Sequence, residues 1–210
     1  MVPDPRHFKA PYLDQSQCWK AADKFRGEYW PSGEIPVDVL EIAEFDLDLE
    51  IRPIAGLKED ADVDALLLGN WTTLLVDQRQ YMDERYVNRL KFSIAHELGH
   101  YVLHREVFKS IPRDTPNQWI EFMQGMPDDQ YGFLEFHAYE FAGRLLVPKA
   151  KLAERFEAVL AHAETNGVLR TSLTEAHLSY LCKPLEEAFK ASQSVIEKRL
   201  LREKLWPLSL

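Results

Sequence analysis

Cysteine is almost missing from this chain of 210 residues. Only Cys18 and Cys182 occur, far apart and in no metal-binding spacing, so neither a disulfide framework nor a cysteine-based metal motif is implied. Long apolar runs are missing too. No stretch approaches the roughly 18 consecutive apolar residues needed to cross a bilayer. Met1 to His7 lacks the apolar core of a secretory leader, so a cytoplasmic protein is the expectation. Positive charge is in short supply: 25 Lys and Arg stand against 34 Asp and Glu, for a net charge of −9. That balance argues against nonspecific affinity for nucleic acid, and direct nucleic-acid binding is not expected. What is present, 46% hydrophobic and 28% charged residues, is ordinary globular composition, enough for one core and a small appendage.

Against this background one pentad carries most of the information: His96-Glu97-Leu98-Gly99-His100. On a helix, residues four apart share a face, so His96 and His100 can present two imidazole nitrogens to one ion. Glu97 lies roughly 100° round the helix, beside such an ion, where a general base can take a proton from an attacking water. Two imidazoles and a carboxylate leave a tetrahedral zinc one open position, the arrangement of catalytic zinc. Bound there, zinc acidifies a water and polarises a carbonyl. Three fixed letters arise by chance on the order of once per hundred chains of this size, so context matters. Leu90, Ile94, Ala95, Leu98 and Val102 form an apolar stripe on a helix read from Asn88, as N-cap, to His104. Two histidines on a buried helix need partners, and a metal is one.

Around that helix the pattern is α+β, a small sheet followed by helices. Residues 1–15 read as a loosely attached arm, 16–29 as a helix and 36–44 as a short one. Residues 47–54 alternate strictly, as a half-buried strand does. Leu66–Leu68 and Trp71–Val76 read as two strands meeting at Gly69-Asn70. Residues 105–130, with Pro112, Pro116 and Pro127, read as a long irregular stretch whose Trp119 and Phe122 either pack inside or cover a cleft. Helices are expected over 131–146, 149–163 and 173–205. The division is a domain over 1–165 and a helical unit over 166–210.

A third ligand must come from downstream, and Glu121, Asp128, Asp129, Glu135, His137 and Glu140 are the candidates. On the helix from Tyr131, Glu135 falls on the margin of the apolar face, where a cleft-lining ligand belongs, and Glu140 points to the other side. His104 sits too far along its helix to share an ion with His96, which leaves capping or surface packing.

Residues 91–104, Lys91-Phe92-Ser93-Ile94-Ala95-His96-Glu97-Leu98-Gly99-His100-Tyr101-Val102-Leu103-His104, together with Glu135-Phe136-His137-Ala138-Tyr139-Glu140-Phe141-Ala142 and the following Gly143 to Pro148, resemble the ImmA/IrrE family of zinc metallopeptidases. The resemblance covers about residues 38–150. It implies a zincin-like fold with a small mixed sheet, an HExxH helix and a helical C-terminal unit. It also implies zinc held by His96, His100 and Glu135, with Glu97 catalytic. The strand resembling the family's edge strand is Thr73–Asp77, so an extended substrate is expected along Leu74-Leu75-Val76. Two positions depart from the family pattern: Tyr139 stands for an asparagine and His137 for a second glutamate.

The expectation is a zinc-dependent endopeptidase acting on a protein substrate, by resemblance a regulator such as a DNA-binding repressor. The alternative is a regulatory module that keeps the metal site and only binds a partner protein; an intact Glu97 favours the enzyme. Residues 181–205 resemble a helix-turn-helix unit, but six Lys and Arg against four Asp and Glu are too few for a nucleic-acid footprint. A helical packing module that shapes the substrate cleft or a partner surface, around Phe189 and Ile196, is the expected role. Tyr131, Tyr139 and His162 are the candidate oxyanion stabilisers.

Overall fold

The computed structural model describes residues 4–109, 111 and 114–207; Met1 to Pro3 of the arm, and Pro112, lie outside them. In chain order a 3₁₀ turn, Pro5–His7, precedes helix α1 (Gln15–Tyr29), and α2 (Val39–Glu41) runs on into a π-helical turn, Ile42–Asp46. Then come β1 (Glu50–Ile54), α3 (Leu57–Ala61), β2 (Ala65–Leu67), β3 (Thr73–Asp77) and α4 (Gln78–Met82). The helical half comprises α5 (Val87–Leu103), α6 (Arg105–Phe108), α7 (Pro116–Gly125), α8 (Asp128–Leu146), α9 (Lys149–Thr165), α10 (Glu175–Phe189) and α11 (Gln193–Arg202). This is the expected α+β arrangement with a helical C-terminal part.

The sheet has the order β1-β3-β2, with β1 parallel and β2 antiparallel to β3. Thr73–Asp77 is therefore the central strand, and the expectation that a substrate adds along Leu74 to Val76 is wrong. Its peptide groups face two neighbours. A crossover through α3 and β2 brings the last strand to the middle, and no local pattern announces a crossover. The strand starts at Thr73 because Trp71 is held left-handed, at φ 61°, and the Asn70 side chain accepts hydrogen bonds from the Thr72 and Thr73 amides.

Helix α5 buries Leu90, Ile94, Ala95 and Leu98, the stripe read from sequence, whereas Val102 is partly exposed. Its start lies at Val87, since a 3₁₀ turn, Glu84–Tyr86, leads directly into it and takes the place of an Asn88 cap. It packs on α8 at very short range. A Cβ added at Gly99 would lie 3.0 Å from Ala138 Cα and 3.2 Å from its carbonyl oxygen. The glycine inside the pentad is what lets the two helices approach.

Two expectations about irregular segments fail for the same reason. The N-terminal arm is docked: Phe8 is buried edge-on to Phe122, and the Ala10 amide donates to Gln130 Oε1 at 2.9 Å. The stretch 105–130 contains α6 and α7. A capping box of Thr115 and Gln118, with Pro116 in the first turn, starts α7, and Trp119 and Phe122 bury its inner face. Phe189 and Ile196 are fully buried where α10 meets α11, so neither can shape access to a cleft.

Candidate active site

The short α5–α8 approach sets one turn of α8 against two turns of α5. His96 and His100 bring their Nε2 atoms to 3.1 Å of each other. The Glu135 carboxylate meets them at 3.3 Å from His96 Nε2 and 3.5 Å from His100 Nε2. Three acceptor atoms so close repel unless a proton or a cation lies among them. Burial pushes His100 away from its doubly protonated form, so one of its two ring nitrogens is left a lone pair. Burial by itself would also raise the Glu135 carboxyl, but hydrogen bonding to His100 and His96 outweighs it and holds the group well below the usual range. Metal bonds of about 2.0–2.1 Å put the donors of a tetrahedron about 3.3 Å apart. The donor set thus fits a zinc-type ion.

Glu97 completes the cluster: His96, Glu97 and His100 each offer an atom within 4.8 Å of the others. It is buried, and one carboxylate oxygen accepts the Leu67 amide at 2.8 Å. That amide is on the open side of β2, because Asp64 and Leu68 make the pairing hydrogen bonds to β3. The strand edge beside the cleft is therefore β2, and it orients Glu97.

The cleft, of about 360 Å³, is walled by Asp64, Ala65 and Leu66 on one side and by Tyr131 and Tyr139 on the other. Trp119 both packs inside, against Phe108, and lines the cleft. Burial, then the neighbouring Glu135 charge, raises the pKa of both Tyr131 and Tyr139, keeping each phenol protonated. Tyr139 also packs edge-on to His96, with ring centres 5.0 Å apart. His162 is exposed on α9 and is not among the residues lining the cleft. Glu140 faces away, as its place on the helix implied, and Asp128 and Asp129 sit exposed at the start of α8.

His104 was expected as a cap or a surface group. It is the C-cap of α5 but fully buried, because α8 covers the end of the helix. Its Nδ1 lies 2.8 Å from His100 Nδ1, and its Nε2 lies 3.1 Å from His137 Nδ1. Sequence reasoning missed this contact and the Leu67 amide, since both are made between distant segments. Helix α7 could have been found from Thr115-Pro116 and Gln118.

Fold and site together define a zincin-like, metallopeptidase-type domain. Residues 84–201 match the family model of the IrrE N-terminal-like domain, peptidase family M78, and the chain belongs to that family. A search of curated proteins finds no match. No helix among the described residues is long and apolar enough to cross a membrane.

Proposed function

We propose that the chain is a zinc-dependent endopeptidase in which His96, His100 and Glu135 hold the ion and Glu97 is the catalytic base. The convergence of two imidazole nitrogens and one carboxylate, at separations of 3.1, 3.3 and 3.5 Å, carries this reading. Zinc, when bound, supplies Lewis acidity towards a peptide carbonyl and a water. Glu97, oriented by the Leu67 amide, takes a proton from the attacking water as its oxygen adds to the carbonyl carbon. It returns that proton to the amide nitrogen as the C–N bond breaks. The Tyr131 phenol, in the cleft wall and kept protonated, is the donor for the developing oxyanion in this reading. An extended chain is received along β2, where Ala65 has the open peptide groups, with Trp119 in the lining of the cleft.

The substrate in this reading is a regulatory protein of the cytoplasm, such as a DNA-binding repressor. Residues 1–165 carry the chemistry, and the helical unit 166–210 shapes access to it. Val195, Lys198 and Arg202 of α11 support that division: they line a second cavity, of about 700 Å³, which shares Phe92, Ser93 and Tyr139 with the cleft.

Glu97→Gln tests the chemistry. Zinc content and fold should be retained, and new protein N-termini generated in a cell extract by the zinc-loaded wild type should fall by at least 10²-fold. Equal cleavage by both proteins would remove Glu97 from the mechanism. Wild-type activity absent from every extract, with partner binding intact, would favour the binding module. Full zinc retention by Glu135→Ala would reassign the third ligand.

A further inference from the structure

The ring nitrogens of His100, His104 and His137 form a continuous series through the interior. His100 Nδ1 faces His104 Nδ1 at 2.8 Å, and His104 Nε2 faces His137 Nδ1 at 3.1 Å. His104 and His137 are fully buried, and His100 nearly so. The last nitrogen, His137 Nε2, is buried and makes no hydrogen bond among the described residues.

Neutral imidazoles have one N–H and one lone pair each, so a series of three has only two proton arrangements. In one, His100 donates from Nδ1 to His104 and His104 donates from Nε2 to His137 Nδ1, which leaves His100 Nε2 a bare lone pair directed at His96 and Glu135. In the other, both donors are reversed and His100 carries its proton on Nε2, where a metal would have to displace it. A metal ion on His100 Nε2 is therefore compatible only with the first arrangement. We infer that His104 and His137 are positioning residues whose Nδ1 acceptors, in series, hold His100 in the tautomer that binds metal through Nε2. Metal-bound histidines commonly donate their other N–H to a carboxylate, carbonyl or water; here two further histidines serve. The inference rests on His100 being a ligand in the proposed function.

Two variants at one position separate this role from packing. His137→Leu fills space but removes the Nδ1 acceptor that faces His104; His137→Glu is less apolar but restores an acceptor there. Both are checked for folding by circular dichroism and thermal melting. Zinc affinity is then measured by competition with a chromophoric chelator. His137→Leu should weaken zinc roughly 10–100-fold, and His137→Glu should stay within a few-fold of wild type. A purely structural role would give the opposite order or no difference, and either outcome overturns the inference. The proposed function fails if the wild type takes up no zinc; the inference fails, with that function intact, if the wild type takes up zinc and the two variants do not separate in this order.

Discussion

Helix α8 carries two glutamates five residues apart whose surroundings are opposite in kind. Glu140 points towards α1 and α11 into a closed nest of donors. Trp19 Nε1 donates to it at 2.7 Å, Gln15 Nε2 at 3.2 Å, and Arg202 forms an ion pair with it. Beside it Arg144 pairs with Asp23 at 2.6 Å and with Glu203, and the Arg199 guanidinium lies 4.6 Å over the Trp19 ring. Both hydrogen bonds go to its Oε2 and the ion pair to its Oε1, so its charge holds three helices together. Glu135 faces the other way, towards the Nε2 atoms of His96 and His100, each of which can carry a proton or bind a metal ion. A carboxylate among fixed donors is complete within the chain, and one beside two imidazole nitrogens can share a cation with them. Residue type and helical context are shared, so the partner set alone separates a structural acid from a candidate ligand.

Exchanging each acid for its amide is the strongest way to break that comparison. Removing one partner of a fully buried pair costs roughly 3–5 kcal/mol, and because Arg202 is 36% exposed the expected loss in Glu140→Gln is about 2 kcal/mol. Urea unfolding in the presence of chelator measures it. Glu135→Gln should lose less metal-free stability than Glu140→Gln and should abolish the zinc-dependent rise in melting temperature. Equal destabilisation by both variants would mean that Glu135 is structural too.

Gly99→Ala attacks the helix contact that brings the two faces into place. Its Cβ meets backbone at 3.0 Å, so overpacking should cost about 1–2 kcal/mol and weaken zinc as Glu135 is moved off the histidines. Unchanged stability and affinity would show that the contact is slack.

Acid should act on the structural side through Asp23. Burial would raise this carboxyl, but the hydrogen bond from Arg144 and its charge outweigh that and hold it below the ordinary 3.8. A depressed folded-state pKa adds stability that is complete above the unfolded value and lost as pH falls through the folded one. Urea midpoints should therefore drop as pH goes from about 5 to 3, less steeply in Asp23→Asn; identical slopes would remove Asp23 from the effect.

The smallest effect belongs to Gly132, on α8, where an added Cβ meets nothing within 4 Å. Gly132→Ala should gain roughly 0.5–1 kcal/mol in thermal unfolding and leave zinc affinity unchanged, because only helix propensity alters. A loss would mean that α8 needs a glycine there.

What the sequence determined about this protein follows from short-range periodicity. Residues four apart on a helix share a face in any fold, so His96, Glu97 and His100 could be placed together, and Glu135 on a cleft-facing margin, before any tertiary contact was known. The same logic found α1, α5, α8 and the apolar stripe of α5. Only the tertiary structure decided which strand is central, because pairing order depends on a crossover and not on alternation. It also decided that Phe189 and Ile196 are core, that the arm is docked, and that His104 ends inside. Those outcomes depend on which distant segment fills the space beside a residue. The Leu67 amide at Glu97 is a backbone group, alike in every residue but proline, and only folding distinguishes it from the others.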